Sequence, residues 1–222
     1  MIIQRNFNRR AEDINEIFSL IDFIAGIEPH KNIPLVSSAN GAELHITQEM
    51  QCALKAQFLI LLYNLVESTV CDCLNTIYDS IADEELTFGE LSREIKAMWR
   101  NYLRRTSHPD FIKTDAELAG TPVMFESLAI NISGSLDLRK INEVFAKHGC
   151  TLDQTNRDKY SNSFLAVKNK RNLLAHGNTS FSECGSNYMI SDLHKFKDEI
   201  LNGMQEIVAK VREYIDNRKY KQ

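Results

Sequence analysis

Glycine and proline are scarce in this chain, nine and four among 222 residues, and nothing concentrates them into a linker, a collagen-like repeat or a turn-dense β-structure. Helix is therefore the default expectation. Long apolar runs are missing too. The most apolar stretch, Phe58 to Leu62, falls far below the roughly 18 residues needed to cross a bilayer, and the N-terminus MIIQRNFNRR has no apolar core and no small-residue cleavage site. No membrane partner and no secretion are expected, the chain reads as cytoplasmic, and the sequons at Asn131 and Asn178 read as incidental. The five cysteines, Cys52, Cys71, Cys73, Cys150 and Cys184, are odd in number. On a helix Cys71 and Cys73 would point to nearly opposite sides, unlike a zinc pair, so all five read as reduced and mostly packed. There is no Gly-rich phosphate loop, no nucleophile elbow and no Cys/His set with metal spacing. Neither a metal nor a cofactor is expected. The formal net charge of -4 gives no protein-wide positive field, so any nucleic-acid binding must come from local basic clusters.

What is present is helical periodicity. Phe7, Ala11, Ile14, Ile17, Phe18, Ile21 and Ile24 recur at helical spacing from Asn6 to about Ala25. Gly26 and Pro29 end that helix, and Asn40-Gly41 marks a loop or small hairpin between His30 and His45. Thr47 is a plausible N-cap for the longest element, about Gln48 to Ala82, which contains neither Gly nor Pro and would span on the order of 50 Å. Its centre is apolar on nearly every side, so other helices must pack around it. Asn64 and Glu67 interrupt that centre. They are either satisfied polar groups in the core or an interface, or they border a site.

The capping-box pattern Thr87 to Glu90 precedes a third helix, whose apolar stripe is backed by Arg93, Lys96, Arg100, Arg104 and Arg105. This densest basic surface is either an ordinary solvated face or a phosphate-tracking one. Asp110 to Ser135 reads as a long irregular connection, with His108 a turn residue. Asp137 or Ser135 can cap a helix that stops at Gly149, where His148 is best explained as a partner of the helix dipole. A helix from about Arg157 to Ala175 and a last one from about Asp192 to Arg218 follow, separated by a polar, turn-rich segment. The seam Leu193, Ile200, Ile207 and Tyr214 suits core packing along the long helix or a dimer contact. The fold class expected is all-α: an antiparallel bundle of about five to six helices, one of them long and central, with long irregular connections. With no linker and no repeat, residues 1–222 read as a single domain.

The stretch that suggests chemistry is Lys168 to Ser180, in which Arg171, Asn172 and His176 crowd around a helix end stopped by Gly177. An unperturbed imidazole titrates near pH 6.5 and can act as general acid or base, while a guanidinium holds a phosphate in a planar fork and stabilises developing charge. These two roles suffice for metal-free RNA cleavage by the ribose 2′-OH. Asn172 would orient the imidazole or hold a phosphate oxygen. Lys168, Lys170, Glu67, Asn64, Arg100 and Arg104 are weaker candidates for contacting RNA. On one helix Arg171 and His176 diverge by roughly 140°, so His176 would have to swing round in a frayed last turn, or both would face a groove made with a second subunit. Capping and the helix dipole alone would also select Arg, His and Gly at a helix end.

The string Arg171-Asn172-Leu173-Leu174-Ala175-His176-Gly177 resembles the Arg-x-x-x-x-His signature of the HEPN superfamily. The LYNLVES block (Leu62 to Ser68), GSLDLRKINEVFAKHG (Gly134 to Gly149) and LAHGNTSF (Leu174 to Phe181) resemble a stand-alone prokaryotic subgroup of it, over about Asn6 to Arg218. The resemblance implies an all-α homodimer with two motifs in one composite cleft. It also implies a metal-independent endoribonuclease of a toxin–antitoxin, phage-defence or restriction-linked system, with RNA as substrate and an antitoxin or other defence protein as partner. Arg171 and His176 match the family's catalytic positions and Asn172 its polar neighbour. Other members keep the fold as non-catalytic RNA-binding or interaction modules.

Overall fold

The longest stretch free of Gly and Pro forms the axis of the molecule. In the computed structural model, which describes residues 2–31, 34–125, 135–152 and 154–222, helix α2 runs from Gln48 to Asp83 with the Thr47 hydroxyl accepting from the Met50 amide at its start. Its buried residues include Phe58, Leu59, Leu62, Tyr63, Val66, Val70, Cys73 and Ile77. The other long helices lie around it: α1 (Ile2–Ala25), α6 (Gln154–Ala175) and α8 (Ile190–Asp216), with α5 (Leu138–Lys147) packed on α6 and α3 (Arg93–Arg105) on α5. Two short helices, α4 (Asp115–Leu118) and α7 (Phe181–Ser186), and the two-stranded hairpin β1 (Leu35–Val36) and β2 (Glu43–Leu44) complete the described elements. The fold is all-α, with six helices of ten or more residues among the described residues.

Helix α2 is covered on most of its circumference but not all. Gln57, Asn64, Asn75 and Asp79 are exposed and line up along one side, so Asn64 meets solvent and needs no partner in the core. By length and composition α2 could also cross a bilayer, since an 18-residue window has mean hydropathy 1.3; that window is 56% buried inside the bundle. The α8 seam packs inward, with Leu193 and Ile200 fully buried and Ile207 and Tyr214 nearly so. Helix α7, in the segment expected to be turns, is held against α2 by Gly185: a methyl group there would overlap the carbonyl oxygen of Cys52. Only glycine permits that approach.

The basic third helix starts later than its sequence pattern suggests. The Thr87/Glu90 capping box closes a separate 3₁₀ turn, Phe88–Glu90, and α3 has its own cap, the Ser92 hydroxyl accepting from the Ile95 amide. The chain between them is extended and pairs with the C-terminal segment through Ser92 N–H to the Tyr220 carbonyl, 2.7 Å. The basic face also divides. Lys96 and Arg100 lie over the Phe88 ring at 5.6 and 5.5 Å, and Arg100 is tied to Asp115 and to the Lys113 carbonyl. That removes Arg100 from the surface offered to a ligand. Arg93, Arg104 and Arg105 face a different groove.

His148 sits at the C-cap of α5, as its position predicts, but not as a solvated dipole partner. It is 2% exposed. Its Nδ1 lies 2.8 Å from the Val144 carbonyl and its Nε2 2.7 Å from the Tyr78 hydroxyl. A carbonyl can only accept, so Nδ1 carries the proton and Nε2 accepts from Tyr78. Burial pulls the His148 pKa below its ordinary value, which favours this neutral tautomer. All five cysteines are free, and Cys71 alone is not buried; burial pushes the Cys150 thiol up to about 11. Residues 126–134, which include the Asn131 sequon, Gly134 and part of the expected irregular connection, lie outside the described residues.

Candidate functional site

The C-terminus of α6 is closed by hydrogen bonds. The His176 amide donates to the Asn172 carbonyl at 3.1 Å, Gly177 to Leu174 at 3.1 Å and Asn178 to Leu173 at 2.9 Å, with Gly177 at φ +67°. This 6→1 and 5→2 pair is the Schellman arrangement, which a left-handed glycine makes possible. The last turn is therefore not frayed, and the His176 backbone is fixed as the cap. Its side chain is exposed and makes no hydrogen bond among the described residues.

Arg171 points elsewhere. It shares the inward stripe of α6 with Tyr160, Phe164, Val167 and Leu174, all buried, and is itself half-buried. A guanidinium so placed needs a face to lie on, and the Tyr63 ring of α2 supplies one, 4.9 Å from Cζ to the ring centroid. The tyrosine is anchored in turn: its hydroxyl accepts from the Leu136 amide at 3.1 Å, and its ring is 1% exposed. Burial raises the Tyr63 pKa, the Leu136 amide opposes that, and beyond it the Glu67 carboxylate raises and the Arg171 guanidinium lowers it. Glu67, one turn along α2, is thus electrostatically part of this corner.

Asn172 links Arg171 to the neighbouring segment. Its Oδ1 accepts from Arg171 at 3.3 Å, and its Nδ2 lies 3.5 Å from the Ser135 hydroxyl. It orients the guanidinium; it does not bond the imidazole. Lys168, one turn earlier on the same side, reaches Asp137 at 3.3 Å, with both side chains largely covered. Asp137 also caps α5 by accepting from the Lys140 amide at 2.9 Å. Burial pushes the Asp137 carboxyl up, but these two donors hold it below its ordinary range. The side chains therefore run round α6 in the order Arg171, Lys168 and Asn172, then His176, the first half-buried against α2 and the last in solvent.

Residues 3–220 match the family model described as MAE_28990-like HEPN. The chain belongs to the HEPN superfamily. No curated protein and no solved structure gives a significant match. HEPN membership points to a nuclease- or RNA-related module.

Within this HEPN chain the two signature residues are not brought into contact. Arg171 is held half-buried on Tyr63, while His176 stands on the exposed face of α6 with Leu165 and Leu173, which are 41% and 38% exposed. Asn64 lines a shallow groove between α1 and α2 instead, and Lys170 lies over the Tyr188 ring at 5.7 Å on the α7 side of α6. Among the described residues no three His, Cys, Asp or Glu side chains gather to hold a metal. Sequence reasoning missed Tyr63 and saw Asp137 only as a cap. The signal for Tyr63 was available: a phenol inside an apolar helix must find a polar partner.

Proposed function

We propose that this HEPN protein is a metal-independent endoribonuclease whose working site forms when two copies bring their α6 termini together. The observation that carries the reading is the split of the motif: a guanidinium held in place on Tyr63, and an exposed imidazole on a face with two exposed leucines, without a hydrogen-bond partner among the described residues. An exposed apolar and titratable helix face next to a signature motif is what a composite cleft requires. In the proposed reaction His176 takes the proton of a ribose 2′-OH. The oxygen attacks the adjacent phosphorus, the bond to O5′ breaks, and a proton goes to that oxygen, leaving a 2′,3′-cyclic phosphate and a 5′-OH. Arg171 offsets the charge that builds on the non-bridging oxygens. Service as the toxin of a toxin–antitoxin, phage-defence or restriction-linked system in the cytoplasm, opposed by an antitoxin, belongs to the same proposal.

One observation favours a second reading. Arg171 already has structural work, stacking on Tyr63 and bonding Asn172, so the motif could hold the fold of a non-catalytic RNA-binding or interaction module. The two part in one experiment. The purified protein and its His176→Ala and Arg171→Ala variants are incubated with RNA in EDTA. Cleavage by the parent giving cyclic phosphate ends, lost in both folded variants, supports the enzyme. Absent cleavage, or cleavage that survives His176→Ala, overturns it. Sedimentation of the parent as a monomer at the assay concentration would remove the composite cleft.

A further inference from the structure

Between α3 and α5 lies a groove of about 700 Å³, separate from the α6 motif. Among the described residues five of its lining side chains are basic, Arg93, Arg104, Arg105, Lys140 and Lys147, against one carboxylate, Glu94. In a chain with more acids than bases this is a concentrated positive site. Nor are these charges neutralised locally: among the described residues only Lys140 has an ion-pair partner, Glu143 at 3.5 Å. Arg100 shows the contrast, since on the same helix it is bound to Asp115.

The direction of the groove matters. A methyl group at Gly149, just past α5, would meet Glu94 in the first turn of α3, so Arg93 and Lys147 share one end. Lys140 belongs to the other end, one turn from Asp137, which holds Lys168 of α6. The basic track therefore leads toward the Arg171 motif. From Arg93 to Arg105 it is roughly 18 Å long by helix rise, which suits the shortest single-strand sites, on the order of four nucleotides. Three of the five cations are arginines, whose planar fork fits phosphate. A concave groove flanked by two helices suits a strand and not the plane of a membrane.

We propose that this groove binds the phosphate backbone of a single RNA strand and delivers it to the α6 motif. The proposal deepens the ribonuclease reading in taking RNA as ligand, but binding does not require cleavage. It is tested on the full chain carrying His176→Ala, which keeps RNA intact, by fluorescence anisotropy with a labelled oligouridine. Neutralising about four phosphates gives a log–log salt slope near -3, so affinity should fall about fifty-fold between about 50 and 200 mM salt. The double variants Arg104→Gln with Lys140→Gln, and Arg93→Gln with Lys147→Gln, should each reduce that to roughly seven-fold. Arg5→Gln with Arg212→Gln, in a separate basic cluster near the start of α1, should leave it unchanged. Far-ultraviolet melts establish that the variants are folded.

Groove variants that bind like the parent with the same salt slope overturn the proposal. So does an equal loss from the Arg5 and Arg212 pair, which would make the attraction general, and so does binding of poly-glutamate with none of oligouridine, which would make the groove a protein-docking site. Salt-dependent binding lost in the groove variants, with no cleavage by the parent, supports the groove and refutes the nuclease. Cleavage that needs His176 but ignores the groove charges does the reverse.

Discussion

Replacing Tyr63 by Phe and by Leu separates two tasks that one side chain performs. Tyr63→Phe removes a hydroxyl whose described role is to accept from the Leu136 amide, and Leu136 is 1% exposed. The amide is then left without an acceptor away from water, a loss of about 1–3 kcal/mol. For a chain of this size that lowers Tm by about 2–4 °C per kcal/mol, or some 4–8 °C for a 2 kcal/mol loss. The ring survives, so Arg171 keeps its platform. Tyr63→Leu removes the ring as well and forfeits a cation–π interaction of about 0.5–2 kcal/mol at a partly buried site. A urea titration should show Tyr63→Leu to be the less stable of the two. RNA cleavage should be retained by Tyr63→Phe per folded molecule and reduced in Tyr63→Leu, with Tyr63→Trp restoring part of it. An unfolding midpoint unchanged in Tyr63→Phe would refute the tether. Equal cleavage by Tyr63→Phe and Tyr63→Leu would refute the platform.

Gly185→Ala should destabilise the protein by about 1–3 kcal/mol in a urea titration, because the new methyl must push α7 away from the Cys52 carbonyl. His148 should make stability depend on pH. Its folded-state pKa is depressed by burial, so below the ordinary value near 6.5 the unfolded chain binds the extra proton and the native one resists it. Its contribution is thus fully present above about pH 6.5 and declines as pH falls toward the depressed folded value. His148→Gln should flatten the urea-midpoint profile below about pH 6.5, and an unchanged slope there would show that other groups cause it.

Much of the fold is legible in the sequence because its signals are local. Thr47 and the lack of Gly and Pro mark α2, Asn40-Gly41 marks the hairpin, and Gly149 and Gly177 mark two helix ends that close in the left-handed conformation. Even α7 had a signal: Ser180 and Glu183 form a reciprocal capping box, hidden by the lack of any apolar period across six residues. What the chain could not announce depends on partners distant in sequence. His148 is neutral because Tyr78, 70 positions away, buries and bonds it. Arg100 is occupied because Asp115 returns to meet it. The α6 motif could be recognised as a string, but its division into an inward Arg171 and an outward His176 required knowing that Tyr63 waits beneath the helix.

That division has an energetic consequence. A free arginine side chain carries about 2 kcal/mol of rotamer entropy, which a phosphate would have to overcome on binding. Arg171 loses much of that freedom when the chain folds, between the Tyr63 ring and the Asn172 amide, so under the proposed function an arriving phosphate would meet an ordered fork. The Lys168–Asp137 pair steadies the adjoining start of α5, on which Lys140 of the basic groove stands. Among the described residues nothing restrains the His176 ring in this way, although its backbone is fixed by the helix cap. Ordering of the imidazole must then come from whatever covers the exposed face of α6. The proposed composite site would hold its anion-binding half ready in each copy and complete its proton-transferring half only on assembly, so the concentration dependence of cleavage should follow that of dimer formation.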